Sequence, residues 1–264
     1  MLQLADVVAC EDTRHTQALL RAYGIDKPSG ACLAVHQHNE VEAAQAVLAQ
    51  LREGRRVAYA SDAGTPGVSD PGARLVAAVR AVGVRVVPLP GASSVTTLLS
   101  AAGLAGDDPS FAFAGFLPAK ATERAQAVQA LAQQPQAVVL LEAPHRIEAL
   151  ATALAVLGDR GVTVGRELTK QFEEVSTHPA RELAAWLAGA PQRVKGEFVV
   201  LLHPLAATPG DGAEAERVLR LLLDELPTKT AVKLAADIAH ASRNTLYERA
   251  LQIKRDAEAA GEHG

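Results

Sequence analysis

Cysteine is scarce in this chain: only Cys10 and Cys32 are present. They make no C-x-x-C pair and give no metal-ligand spacing with the scattered histidines, so no metal site is expected and both read as small core residues. Long apolar runs are missing too. The longest strand-like ones, such as AVVLL at Ala137 to Leu141, are far too short to cross a bilayer. The N-terminus lacks a basic region followed by a continuous apolar stretch, the pattern of a secretory leader, so a cytoplasmic protein without membrane contact is the expectation. Positive charge is in deficit. The formal net charge of −4 speaks against a protein that coats nucleic acid indiscriminately and leaves room for a local basic face. What remains is a globular composition, 48% hydrophobic and 21% charged, in 264 residues, enough for one large domain or two ordinary ones.

The strongest local signal is SDAGTPGVSDPG, Ser61 to Gly72. It follows the strand-like RRVAYA and leads into ARLVAAVRAVG, which has helical apolar spacing. Gly64, Gly67 and Gly72 let a backbone turn tightly, and Ser69 or Asp70 before Pro71 reads as a helix N-cap with proline in the first turn. The stretch has no Walker lysine and no G-x-G-x-x-G, so neither common phosphate cradle is indicated. Asp62 and Asp70 would repel a polyphosphate and suit a ligand with cationic groups. Loop chemistry alone leaves an ordinary βα turn and a ligand cradle as equal readings.

Strands and helices alternate on either side of this loop. ADVVACED, from Ala5 to Asp12, is a buried strand ending in two acids, followed by polar Thr13 to Thr16 and a short helix, QALLRAYG. CLAVHQHNE is a strand ending in His36, His38, Asn39 and Glu40. VEAAQAVLAQLREG is a helix with an apolar side of Val41, Ala44, Val47, Leu48 and Leu51. VRVVPLPG reads as another strand, and PGASS opens the helix SVTTLLSAAG. This alternation argues for a parallel sheet covered on both faces. The character changes at FAFAGFLPAK, Phe111 to Lys120. Beyond it, AVVLLEAP, VTVGREL, FEEVSTH and KGEFVVLLHP read as strands mixed with helices around Glu123 to Gln133, His145 to Leu157 and RELAAWLAG, a mixed or partly antiparallel sheet. The expected domains are therefore 1–114, α/β; 115–205, α+β; and 213–264, helical.

ATPGDG, within Leu205 to Gly212, reads as a linker. After it come only helical patterns. From Pro227 to Arg255, six basic residues (Lys229, Lys233, Arg243, Arg249, Lys254, Arg255) stand against Asp237 and Glu248, a local balance of +4. Two helices about a turn at Ala241 and Ser242, with Arg243, Asn244, Tyr247 and Arg249 accessible, read as a helix-turn-helix. A solvated amphipathic hairpin fits the pattern equally.

Polar groups gather at successive strand ends: Glu11 to Arg14; His36 and His38; the Ser61 loop; Ser93 and Ser94; Glu142, His145 and Arg146; Arg166, Glu167 and Lys170. Strand ends on one sheet edge converge on a cleft. Seven ordered motifs, CEDTRHT, SDAGTPGVSDPG, PLPGASS, GFLPAK, EAPHR, GRELTKQFEE and KGEFV, together resemble the ribosomal RNA small subunit methyltransferase I group of the tetrapyrrole methylase superfamily. The resemblance covers about Ala5 to His203, and the terminal helices are similar to that group's helix-turn-helix-like extension.

The resemblance implies a tetrapyrrole-methylase-like α/β fold, with a parallel-sheet first domain, an α+β second domain and a C-terminal helical extension, assembled as a homodimer. It implies S-adenosylmethionine between the first two domains and methylation of a cytidine 2′-hydroxyl in 16S rRNA of the small ribosomal subunit. The superfamily's donor-binding G-D-P segment falls on Gly64, Thr65 and Pro66, with Val68 beyond. Thr65 replaces its acid and shifts donor contacts toward the backbone. Ser93 and Ser94 match the second donor-binding position, and Glu142 with Ala143 the third. A ribose hydroxyl is a weak nucleophile, so a proton acceptor is expected among Asp12, Glu142 and Glu167, with His145 behind them. Arg14, Arg146 and Lys170 are expected to hold phosphates or orient the ribose. Members of the group begin with a further strand and a TPIGNLGD-type loop that has no counterpart here. A weakened first sheet and lost contacts, and hence poor folding or inactivity, are the expectation. The rival readings are a precorrin-type tetrapyrrole C-methyltransferase and, in another class, a noncatalytic RNA- or ribosome-binding module.

Overall fold

The computed structural model describes residues 1–264 except 29, 37, 63, 105–109, 206–208, 240 and 262–264. The chain divides into two units, Met1–Thr97 and Leu98–Gly264. The first contains a parallel three-stranded sheet in the order β2-β1-β3, formed by β1 (Val7–Cys10), β2 (Cys32–Ala34) and β3 (Val57–Ala60). Helix α1 (Thr13–Ala22) follows β1, α2 (Glu40–Arg52) follows β2, and α3 (Gly72–Ala81) follows β3. The βα rhythm expected for a parallel sheet is present. Ala43, Ala44, Val47 and Leu48 of α2 and Leu75 and Val79 of α3 are buried with Ala9 and Val35. At 25 cal/mol per Å² of apolar surface, such burial is the main force holding helices to sheet.

Three details differ from expectation. Helix α1 begins at Thr13 rather than after Thr16, because the Asp12 carboxylate accepts from the backbone N–H groups of Arg14 and His15 and caps it. Val41, expected on the buried side of α2, is 72% exposed, since the face toward the core is centred on Ala43, Ala44 and Val47. VRVVPLPG forms no strand among the described residues. Val84 and Val86 pack on the first core, but the segment has no ladder, and a strand exists only through backbone pairing with a neighbour.

Helix α4 (Ser94–Ala102) runs across the boundary of the two units. The second unit carries a five-stranded sheet in the order β4-β5-β8-β6-β7, formed by β4 (Phe111–Phe116), β5 (Ala137–Glu142), β6 (Gly161–Arg166), β7 (Glu174–Pro179) and β8 (Phe198–Leu202). β4 and β5 are parallel and every other pairing is antiparallel, the mixed sheet the sequence pattern calls for. Strands buried on both faces read as continuous apolar runs. One face, with Val138, Leu140, Val162, Val164, Phe198, Val200 and Leu202, packs on α5 (Ala121–Ala132), α6 (Ile147–Leu154) and α7 (Leu183–Ala188).

Arg160, just before β6, is buried without a carboxylate. Its guanidinium instead donates to the carbonyls of His203, Leu131, Gln134 and Gln136. Two of these carbonyls lie at or just beyond the C-terminus of α5, where a cation is favoured.

Helices α8 (Pro209–Glu225), α9 (Thr228–Ala239) and α10 (Arg243–Gly261) share a core of Ala215, Val218, Leu219, Ala231, Val232, Ala235, Ala236, Leu246 and Ala250. The small residues of α9 allow close helix approach. The expected linker is shorter than its composition suggests: α8 begins at Pro209, and proline is compatible with a first helical turn. Residues 206–208 of that linker lie outside the described residues.

Candidate active site

In the first unit, β1 and β3 are paired in register, Cys10 with Ala60, so Glu11 and Asp12 leave the sheet beside Ser61 and Asp62. The backbone N–H of Asp62 donates to Glu11 Oε1 at 3.1 Å. His15 Nδ1 lies 3.7 Å from Asp62 Oδ1. Burial pushes the Glu11 carboxyl above its ordinary range, and the nearby charges of Asp62 and Asp70 add to that against the Asp62 N–H. Asp12 is the opposite case. The Arg14 guanidinium and the helix-end N–H groups hold it well below the usual carboxylate range, with Arg14 Nη2 2.8 Å from Oδ2. A carboxylate so stabilised as the anion is a weak proton acceptor, and its partner Arg14 remains largely exposed.

The Ser61–Gly72 loop turns through positive φ at Gly64 (73°), Gly67 (85°) and Ser69 (61°). Val68 N–H closes a turn on the Thr65 carbonyl. Asp70 does not present its charge outward as the sequence reading supposed. Its Oδ2 accepts from Gly67 N–H at 2.8 Å, while Oδ1 accepts from Gly72 N–H at 2.6 Å and from the Tyr59 hydroxyl at 3.2 Å. It is the internal tie of the loop. The N-cap position itself falls on Pro71, and Ser69, with its left-handed backbone, does not cap the helix. Gly72 is required by contact, since a Cβ there would stand 2.2 Å from the Tyr59 ring. Gly64, Gly67 and Gly91 have open space where a Cβ would be. The Thr65 hydroxyl donates to the Ala92 carbonyl at 3.3 Å, tying this loop to the PGASS segment. Ser93 accepts the first backbone bond of α4, from Thr97 N–H, and Ser94 is the first residue of that helix. Gly64, Thr65, Pro66, Val68, Ser93 and Ser94 are thus brought together through two linked loops.

In the second unit, the ladder places Glu142, Phe198, Arg166 and Glu174 in one row across β5, β8, β6 and β7. The Glu142 side chain is fully buried. Its Oε1 accepts from Ala143 N–H at 2.9 Å and lies 3.0 Å from Arg146 Nε. Its Oε2 is buried with no hydrogen-bond partner. Arg146 also donates to the Leu117 carbonyl, bridging the β4 and β5 strand ends. His145, in the same turn, is exposed.

Glu167 is more constrained. Its Oε1 accepts from Glu197 N–H at 2.8 Å and from Lys170 Nζ at 3.0 Å, which together hold its carboxyl below the ordinary value. Lys170 also reaches Glu197 Oε2 at 2.9 Å. Gly196 is obligatory beside it, with φ at 90° and a would-be Cβ only 2.4 Å from Glu167 Cγ. The sequence-predicted residues therefore form two described groups: the Asp12, Arg14 and glycine-loop set in the first unit, and Glu142, Ala143, Arg146, Glu167 and Lys170 in the second. Sequence reasoning undervalued Glu11 and Tyr59. Their position at the ends of β1 and β3, on either side of the glycine loop, was the available signal.

The chain belongs to the tetrapyrrole methylases, as its match to that family's model over most of its length shows. A model of the tetrapyrrole (corrin/porphyrin) methylases matches residues 1–184, and a model described as the RsmI C-terminal HTH domain matches residues 209–254. Solved structures agree on the fold. Diphthine synthase superposes with a TM-score of 0.54 at 16% identity, covering 76% of this chain and 81% of that one. Cobalt precorrin-4 methyltransferase does so at 0.52 and 20%, covering 76% and 85%. Among curated proteins, the chain is 46% identical to the ribosomal RNA small subunit methyltransferase I of Pseudomonas aeruginosa, over 96% of this chain and 89% of that protein. It is 44% identical to that of Escherichia coli O157:H7, over 96% and 87%. This chain belongs to the ribosomal RNA small subunit methyltransferase I family.

Proposed function

We propose that the chain transfers a methyl group from S-adenosylmethionine to the 2′-hydroxyl of a cytidine in 16S rRNA of the small ribosomal subunit, acting in the cytoplasm as a homodimer. The observation that carries this reading is the extent of the family match, which spans 96% of the chain at 46% identity. The match takes in the terminal helices as well as the methylase body.

The residues present suit the donor. The Gly64–Val68 turn offers backbone groups and open space at Gly64 and Gly67, and Thr65 keeps the neighbouring Ala92–Ser94 segment in place. We assign donor contacts in the first unit to Gly64, Thr65, Pro66, Val68, Ser93 and Ser94, and in the second to Glu142 and Ala143. The unpartnered Glu142 Oε2 is a buried acceptor suited to a cationic or hydroxyl donor. When bound, S-adenosylmethionine supplies an electrophilic methyl on a sulfonium.

Much of the catalysis is positioning of the acceptor oxygen. Proton acceptance remains. Asp12 is held as the anion by Arg14, and Glu167 is held as the anion by Lys170 and Glu197 N–H on its Oε1, whereas Glu142 keeps a buried oxygen unpartnered. Glu142 is therefore the proposed base, and Arg146 orients it. Lys170 and Arg14 serve RNA phosphates from exposed positions.

The test is transfer of radiolabelled methyl to purified small subunits, with nuclease mapping of the labelled nucleotide. Label resistant to alkaline cleavage at a single cytidine is the expected result, and label on a base, or none, would overturn the assignment. Glu142→Gln is expected to lower kcat by roughly 100-fold or more, while Asp12→Asn and Glu167→Gln leave most of it. Full rates in all three would rule out a carboxylate base.

A further inference from the structure

The N-terminal halves of α9 and α10 border an open surface hollow of about 530 Å³ lined by Thr228, Lys229, Val232, Lys233, Arg243, Asn244 and Tyr247. That size lies within the roughly 300–1,000 Å³ of small-ligand sites. Its chemistry is one-sided. Val232, 5% exposed, belongs to the core beneath, and the Tyr247 ring, 47% exposed, stands in the wall. Among the described residues no carboxylate lies within ion-pair distance of Lys229 or Lys233. The nearby acid, Asp237, is engaged by Arg243 at 2.7 Å and feels the Lys233 charge only at longer range. Arg249, by contrast, is spent on Glu216 of α8. Two of the six basic residues read from the sequence, Arg243 and Arg249, are thus spent on internal pairing, and Lys229 and Lys233, which have no ion pair among the described residues, stand around one exposed ring.

We infer that this hollow binds an unstacked nucleotide of single-stranded RNA, its base lying on Tyr247 and its adjoining phosphates on Lys229 and Lys233. The inference rests on the reading that the chain acts on ribosomal RNA, and it names the part of the RNA that the terminal helices hold. Lys229 and Lys233 stand one helical turn apart on the same face of α9, so they meet successive charges along one strand. A tyrosine ring accepts any base by stacking, and Asn244 offers both a donor and an acceptor to a base edge or ribose. A concave site suits a splayed base. The deep, narrow major groove of an A-form duplex does not admit side chains to its base edges, so insertion of α10 into a duplex is not the use this geometry favours.

The experiment measures binding of a fluorescein-labelled single-stranded 12-nucleotide RNA to the full chain across a salt series, with the same RNA annealed as a duplex for comparison. Tyr247→Ala should weaken single-strand binding by roughly tenfold, and Tyr247→Phe should leave it within about twofold, since the ring and not the hydroxyl does the stacking. The double variant Lys229→Ala with Lys233→Ala should lower the slope of log affinity against log salt by about 1.4. Thermal unfolding of each variant checks that the bundle is intact. Unchanged affinity in a folded Tyr247→Ala, or equal losses on single strand and duplex, would overturn the inference.

Methylation of small subunits by the unaltered chain is measured in parallel. If label is incorporated while RNA affinity ignores Tyr247 and the lysines, the hollow is wrong and the functional reading stands. If no label is incorporated but affinity depends on them, the hollow stands and the substrate reading fails.

Discussion

Glu11, Asp12, Glu142 and Glu167 are all carboxylates at strand ends, and their surroundings give them different chemistry. Asp12 closes a helix, Glu167 closes a loop, Glu11 is pushed upward by burial, and Glu142 retains a bare oxygen. Gly196 shows how tightly such a setting is built. Gly196→Ala must adopt a left-handed backbone and collide with Glu167, so it should destabilise the chain by about 1–3 kcal/mol. Urea unfolding checks this. The loss should be accompanied by reduced methyl transfer, because Glu167 and Lys170 move together. Gly72→Ala should act in the same way on the first unit by displacing the Tyr59 ring and, with it, the Asp70 tie.

At the level of elements, β5 and β6 owe part of their placement to a polar group at the edge opposite Glu142. Arg160 satisfies four carbonyls that would otherwise lack this donor, two of them at or just past the end of α5. Arg160→Leu should therefore cost about 3 kcal/mol or more, more than an exposed arginine would, as read from denaturant midpoints. The pattern VRVVPLPG carries the opposite lesson. Its alternation was legible, but alternation specifies only which side chains face inward. Whether a strand forms depends on a backbone neighbour, and there it has none among the described residues.

Across the molecule, pH acts through half-buried histidines. Burial depresses His203, which hydrogen-bonds Thr163, and also His178, relative to the ordinary value of 6.5. The folded chain then prefers the neutral ring, and the unfolded chain takes up more protons below pH 6.5. Stability should be fully present above that pH and decline as pH falls toward the folded-state values. His203→Gln should flatten part of the decline, as followed by thermal unfolding from pH 7 to 5. Under the proposed function, the terminal helices serve the substrate rather than the donor. Deleting the residues after Gly212 should weaken small-subunit binding and its salt dependence while leaving donor affinity, measured by calorimetry, nearly intact.

The sequence alone determined the family, the βα alternation, the mixed second sheet and the loops where polar groups gather at strand ends, because periodicity, glycine placement and ordered motifs are local properties. It also placed a basic excess in the last helices. The tertiary structure decided which charges are available. Asp70 is consumed by N–H groups of its own loop, Arg249 by an acid 33 residues away, and Glu167 by a backbone N–H 30 residues away. Among the three proposed bases, Glu142 is the one with a buried oxygen left unpartnered, and Lys229 and Lys233 are left around Tyr247. Hydrogen-bond partners across such distances are set by packing, and no spacing along the chain encodes them.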